Sequence, residues 1–105
     1  MPPFDVYANP NPGSRDAVPY VVDVQSGLID ALPTRLVMPL SRVGATLARL
    51  PLNLCPVIEV DGETLTLMPL LAAPIDKRLL RRPVLSIVHR AHEVGAVLDA
   101  MTSGV

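Results

Sequence analysis

The chain has one cysteine, Cys55, no tryptophan, and aromatic residues at only 3% of the whole. A single cysteine cannot form an internal disulfide, which excludes a disulfide-stapled secreted scaffold. The opening residues Met1-Pro2-Pro3-Phe4-Asp5-Val6-Tyr7 lack a basic region followed by an apolar run. No signal peptide is expected, and with the cysteine usage this points to the cytoplasm. No membrane span is expected either. The longest apolar run, Leu65 to Ile75, is too short and is interrupted by Pro69 and Pro74. Neither sign of charge predominates. The net charge is −1 and the pI about 6.0, so no global pull toward nucleic acid exists. There is no phosphate loop, no paired-cysteine motif and no nucleophile elbow around Ser26. Internal repeats and low-complexity segments are absent too.

Apolar residues are plentiful. Half of the 105 residues are hydrophobic and the mean hydropathy is +0.40. A domain this small buries roughly two thirds of its unfolded surface. The apolar surplus is best placed at a subunit interface, which predicts a homodimer. Twelve prolines rule out long helices over most of the chain and favour short strands joined by turns. Phe4 to Tyr7 reads as a first strand, and Asn9 to Ser14 as a loop by its turn chemistry. Val18 to Val24 reads as a strand buried on both faces. Arg35 to Leu40 reads as another, with Pro39 placing its end at an edge or bulge. Ser41 to Leu54 is ambiguous between helix and loop.

The clearest local feature is the hairpin Pro56 to Met68. Asp61-Gly62 supplies a type I′ turn, which sets Val60 opposite Glu63, Glu59 opposite Thr64 and Ile58 opposite Leu65. One face then carries Ile58, Val60, Leu65 and Leu67. The other carries Val57, Glu59, Thr64 and Thr66, so pattern and register agree. At the end of the chain the period changes. Ala91, Val94, Leu98 and Met101 recur at helical spacing with Val97 beside them, which predicts an amphipathic helix over about Ser86 to Thr102. Ser86 is the candidate N-cap, and Gly104 suits the C-terminal end. Strands followed by one helix predict an α+β or barrel-like fold.

Residues with reactive side chains are few and scattered. His89 and His92 lie three apart beside Glu93, but no third ligand accompanies them, so surface histidines are favoured over a metal site. Cys55 has no basic neighbours and reads as a small buried hydrophobe. Lys77, Arg78, Arg81 and Arg82 form a basic cluster. It is either a solvated surface or a docking site for an acidic partner or a nucleic acid backbone. Val21-Val22-Asp23-Val24-Gln25-Ser26-Gly27-Leu28-Ile29-Asp30 runs from a buried strand into a turn that carries two bulky apolar residues, Leu28 and Ile29. Such side chains in a loop either cap the core or serve as a docking surface. These residues describe a small dimeric binding protein, with no cofactor and no catalytic centre.

Read together, the motifs resemble the CcdB family of toxins from toxin–antitoxin modules. The resemblance rests on Phe4-Asp5-Val6-Tyr7, on Asp23-Val24-Gln25-Ser26 with the following Leu28, Ile29 and Asp30, on Arg35 to Leu40, on Leu54-Cys55-Pro56-Val57, and on Val88-His89-Arg90. Each is short, but their order and spacing run through the whole chain. Only Asn9 to Ala17 and Asp76 to Arg82 look divergent. The resemblance implies an SH3-like barrel with a main antiparallel sheet, a small accessory sheet and a long C-terminal helix. It implies a homodimer that poisons DNA gyrase by wedging into its A subunit and trapping cleaved DNA, without catalysis. It also implies a cognate antitoxin whose disordered segment wraps the toxin. DNA is then reached only indirectly, through the toxin–antitoxin complex. The gyrase face implied is Leu28 and Ile29 together with Asp99, Thr102, Ser103, Gly104 and Val105. The basic cluster Lys77, Arg78, Arg81 and Arg82 is placed to steer an acidic antitoxin segment.

One departure bears on function. Members of the family end in an aromatic pair, a glycine and an aliphatic residue, and the tryptophan of that pair stacks at the centre of the gyrase contact. Here the matching positions are Thr102 and Ser103, followed by Gly104 and Val105. Three functions stay open: a topoisomerase-directed toxin, a gyrase-inactive homologue that binds antitoxin, and a ribonuclease of the related MazF-like type. The last needs a catalytic arginine near a basic groove. Arg35 and Arg42 are the candidates, and no motif supports either.

Overall fold

A computed structural model describes residues 4–24, 32–42 and 55–102. Among the described residues seven strands are formed: β1 (Asp5–Ala8), β2 (Tyr20–Asp23), β3 (Thr34–Ser41), β4 (Val57–Val60), β5 (Glu63–Leu67), β6 (Ala73–Asp76) and β7 (Pro83–Ser86). The helix α1 (Ala91–Thr102) follows them. All strand pairs are antiparallel. The order is β4-β5-β3-β2-β1-β7, with β6 also on β3. The result is a curled half-barrel with a terminal helix, the small barrel-like α+β fold expected. The accessory element is the β4–β5 hairpin. Among the described residues it is continuous with the main sheet through two residue pairs, Leu40–Leu67 and Ser41–Thr66.

Strand β3 organises this arrangement. One side pairs with β2 along Val37 to Leu40. The other side holds β6 along Thr34 to Val37 and β5 at Leu40 and Ser41. Pro39 lies at the handover. It is therefore inside a central strand, not at an edge or bulge as its ring chemistry suggested. The strand tolerates it because no acceptor waits for the missing N–H. The Met68 amide donates to the Pro39 carbonyl, while the Met68 carbonyl accepts from Leu71 instead, closing the 3-10 turn Pro69–Leu71.

The core lies on both sides of the sheet. Alternate residues of β1, β2 and β3 point to opposite faces. Val6, Val22 and Met38 join Leu40, Ile58, Val60, Leu65, Leu67, Ile87 and Val94 in the larger cluster. Tyr7, Val21 and Val37 join Leu80 in the smaller one. This explains why β2 reads as a nearly unbroken apolar run. The hairpin has the predicted register, Val60–Glu63, Glu59–Thr64 and Ile58–Leu65. Asp61 and Gly62 adopt φ +55° and +82°, as a type I′ turn requires.

Strand β2 is shorter than the expected Val18 to Val24, β3 runs one residue further at each end, and three further points differ from expectation. Strand β1 begins at Asp5, because Phe4 sits at φ +69°, outside extended geometry. The helix begins at Ala91, preceded by a 3-10 turn, Val88–Arg90. Ser86 ends β7, and its hydroxyl accepts from the Val88 amide at 3.2 Å, so it caps that turn and not α1 itself. The helix buries Val94 and Val97, as the periodicity required. Gly104 and most of Ser41 to Leu54 lie outside the described residues. Among the described residues, no helix is long and apolar enough to cross a membrane.

Candidate partner-binding site

The residues implied for the gyrase face divide into two groups. Leu28, Ile29, Ser103, Gly104 and Val105 lie outside the described residues. Asp99 is exposed on α1, and Thr102 is the last residue of that helix. His92, Glu93, Ala96 and Asp99 are all exposed, and their spacing makes them one outward stripe. It carries no Phe, Tyr or Trp and no large aliphatic side chain. His89 is exposed as well, consistent with surface histidines. Among the described residues, no three His, Cys, Asp or Glu side chains gather as metal ligands would. Cys55 is buried, and desolvation pushes its thiol pKa up, which suits a core residue and not a nucleophile.

The basic cluster is divided by its ion pairs. Asp76 precedes the 3-10 turn Lys77–Leu79. Its carboxylate accepts from the Arg78 amide at 2.9 Å and from the Arg78 guanidinium at 2.7 Å. The Arg78 side chain, then its amide, hold the Asp76 pKa down to about 2. Arg78 is thus neutralised within the chain, and Lys77 is half-buried. Arg81 and Arg82 are exposed and reach a different place.

That place is a pocket of about 360 Å³ lined by Tyr7, Ala8, Pro10, Arg15, Leu79, Arg81 and Arg82. Strand pairing builds it. Tyr7 lies opposite Pro83 in the β1–β7 ladder, which sets the residues just before β7 beside those just after β1. Asn9 then folds the intervening loop. Its side-chain amide donates to Ser14 Oγ at 2.9 Å and to the Val18 carbonyl at 2.8 Å. Its side-chain oxygen accepts from the Asn11 amide at 3.0 Å. This turn brings Arg15 back, and Arg15 Nε donates to the Asn9 carbonyl at 2.6 Å. Arg15 belongs to no motif of the sequence, since a lone cation in a turn-rich loop gives no short-range signal.

A second, more apolar groove of about 240 Å³ shares the same loop. Val18, Val21, Val37, Pro39, Leu71 and Ala73 line it, with Asn9, Asn11 and Ser14 at the loop side.

The two arginines considered for RNA cleavage are otherwise engaged. Arg35 is fully buried, and its Nε lies 2.8 Å from Oδ2 of the equally buried Asp23. No RNA backbone can reach it. Arg42 is exposed but grips Glu63 through Nε at 2.5 Å and NH2 at 3.2 Å, and donates to the Asp16 carbonyl at 2.7 Å. The paired hydrogen bonds raise the Arg42 pKa and lower that of Glu63. Arg42 staples the 15–16 turn to the hairpin.

Fold and site together define a class: a small barrel-like α+β domain with a terminal helix and a cationic surface pocket. Residues 3–104 match the family model described as CcdB protein. The chain belongs to the CcdB family, the toxins of toxin–antitoxin systems. No curated protein matches the chain.

Proposed function

We propose that this protein is a toxin that acts by binding a type II topoisomerase, DNA gyrase, and not by catalysis. The family match over residues 3–104 carries this reading. The burial of Arg35 against Asp23 supports it, because it takes one of the two arginine candidates of the ribonuclease alternative out of reach of a substrate. The gyrase face is assigned to Leu28, Ile29, Asp99, Thr102, Ser103, Gly104 and Val105. Without a terminal tryptophan this face lacks a stacking anchor, and the exposed stripe of α1 supplies no replacement. Truncating such an anchor costs on the order of 2 kcal/mol, about thirtyfold in affinity. A cytoplasmic homodimer held in check by a cognate antitoxin completes the reading.

Gyrase-mediated DNA cleavage tests it. The protein as it stands is expected to trap cleaved DNA weakly. Ser103→Trp should lower the concentration needed by up to about thirtyfold. No trapping by either protein would favour the gyrase-inactive, antitoxin-binding homologue, for which the missing tryptophan is the supporting observation.

A further inference from the structure

Four arginines among the described residues each face a carboxylate: Arg35 with Asp23, Arg42 with Glu63, Arg78 with Asp76 and Arg90 with Glu93. Among the described residues, Arg15, Arg81 and Arg82 face none. These three line one pocket, with Tyr7, Ala8, Pro10 and Leu79 as the remaining wall. Guanidiniums gathered in a concavity repel one another until an anion joins them. Their planar fork fits a two-oxygen anion.

We infer that the Arg15–Arg81–Arg82 pocket binds an acidic side chain of an extended peptide, whose neighbouring aliphatic side chain enters the groove lined by Val21, Val37, Pro39 and Leu71. The mixed wall favours this ligand. Leu79 is exposed to 54%, and with Pro10 and Ala8 it offers apolar contact to the stem of a carboxylate. The loop 9–18 lines both pocket and groove, so one peptide crossing it meets charge on one side and apolar surface on the other. A nucleic acid backbone fits less well. It is recognised by cations spread along a surface, whereas here Arg42 and Arg78 are already neutralised and the net charge is −1. The inference rests on the toxin–antitoxin reading only in taking an antitoxin segment as the natural carrier of such a peptide.

The test uses the full chain and a short fluorescein-labelled peptide of repeating Glu-Leu-Asp-Ser, followed by fluorescence anisotropy. Arg81→Glu and Arg82→Glu remove exposed side chains with no hydrogen bond of their own, so folding is preserved. Each should weaken binding by about tenfold or more, the scale of one charge-assisted hydrogen bond. Arg78→Glu, the same two-unit change of net charge, should change it by less than about twofold, because Arg78 does not line the pocket and charge outside it is screened. Leu71→Ser should weaken this peptide but not one with serine in place of leucine. Equal loss from Arg78→Glu would reduce the effect to net charge and overturn the pocket. Absence of peptide binding would overturn it as well. Tighter binding of a labelled oligothymidylate with the same arginine dependence would replace the peptide with nucleic acid. None of these measurements involves gyrase, so failure here is distinguishable from failure of the topoisomerase reading.

Discussion

Asp23 and Arg35 are the costliest side chains to bury in this fold, and both are fully enclosed. An uncompensated buried ion costs several kcal/mol, so each holds its place because of the other. They also pin register. Asp23 pairs with Val37, and Arg35 lies two residues along β3 on the same face, a diagonal contact. A slip by one residue would turn one charge to the opposite face of the sheet. Asp23 is also the residue from which the Val24-Gln25-Ser26 motif continues. Arg35→Met alone should destabilise the protein by about 3–5 kcal/mol. The double variant Asp23→Leu with Arg35→Met should recover much of that loss. Urea unfolding of the two single variants and the double would read the coupling. Simple additivity would show that the pair contributes nothing as a pair.

At the scale of elements, two short turns depend on single residues. The β4–β5 turn needs positive φ at Gly62. Gly62→Ala meets no neighbouring atom, so its cost is conformational, about 1–2 kcal/mol, and should be visible as a lower unfolding midpoint. The turn Lys77–Leu79 depends on Asp76. Its carboxylate pKa is depressed to about 2 from 3.8. A depressed acid stabilises the fold above its unfolded pKa and loses that contribution as pH falls through the folded one. Exchange of the Arg78 amide should therefore accelerate as pH is lowered from about 4 to 2 relative to neighbouring amides, and Asp76→Asn should abolish that step. Local sequence made the hairpin legible, because turn type and alternation agree within a dozen residues. Strands β6 and β7 were not legible, since Pro74 and Pro83 break the apolar pattern. Pro74 is tolerated because β6 pairs on one side only. Leu36 opposite it gives its carbonyl to Val24 on the far side.

For the whole molecule, apolar side chains remain on the surface after both clusters are filled. Val57, Leu71, Leu79 and Val88 are each more than half exposed. Such a surface in a small domain favours association. Light scattering at micromolar concentration is expected to give twice the 11.2 kDa chain mass. A soluble, folded monomer there would contradict the homodimer.

Features encoded among near neighbours could be read without the fold. These are the Asp61-Gly62 hairpin and its register, the helical spacing of Val94 and Val97, the two-faced burial of β2, and the motifs that mark the family. The tertiary structure alone decided which charges are free to act. Arg78 looked equivalent to Arg81 and Arg82 until Asp76 neutralised it. Arg35 looked like a candidate for chemistry until β2 enclosed it beside Asp23. Arg15 joins Arg81 and Arg82 only because β1 pairs with β7 and Asn9 folds the loop between β1 and β2 back. Periodicity and turn chemistry act over a few residues, whereas the partner of a charge is chosen by strand pairing across tens of residues.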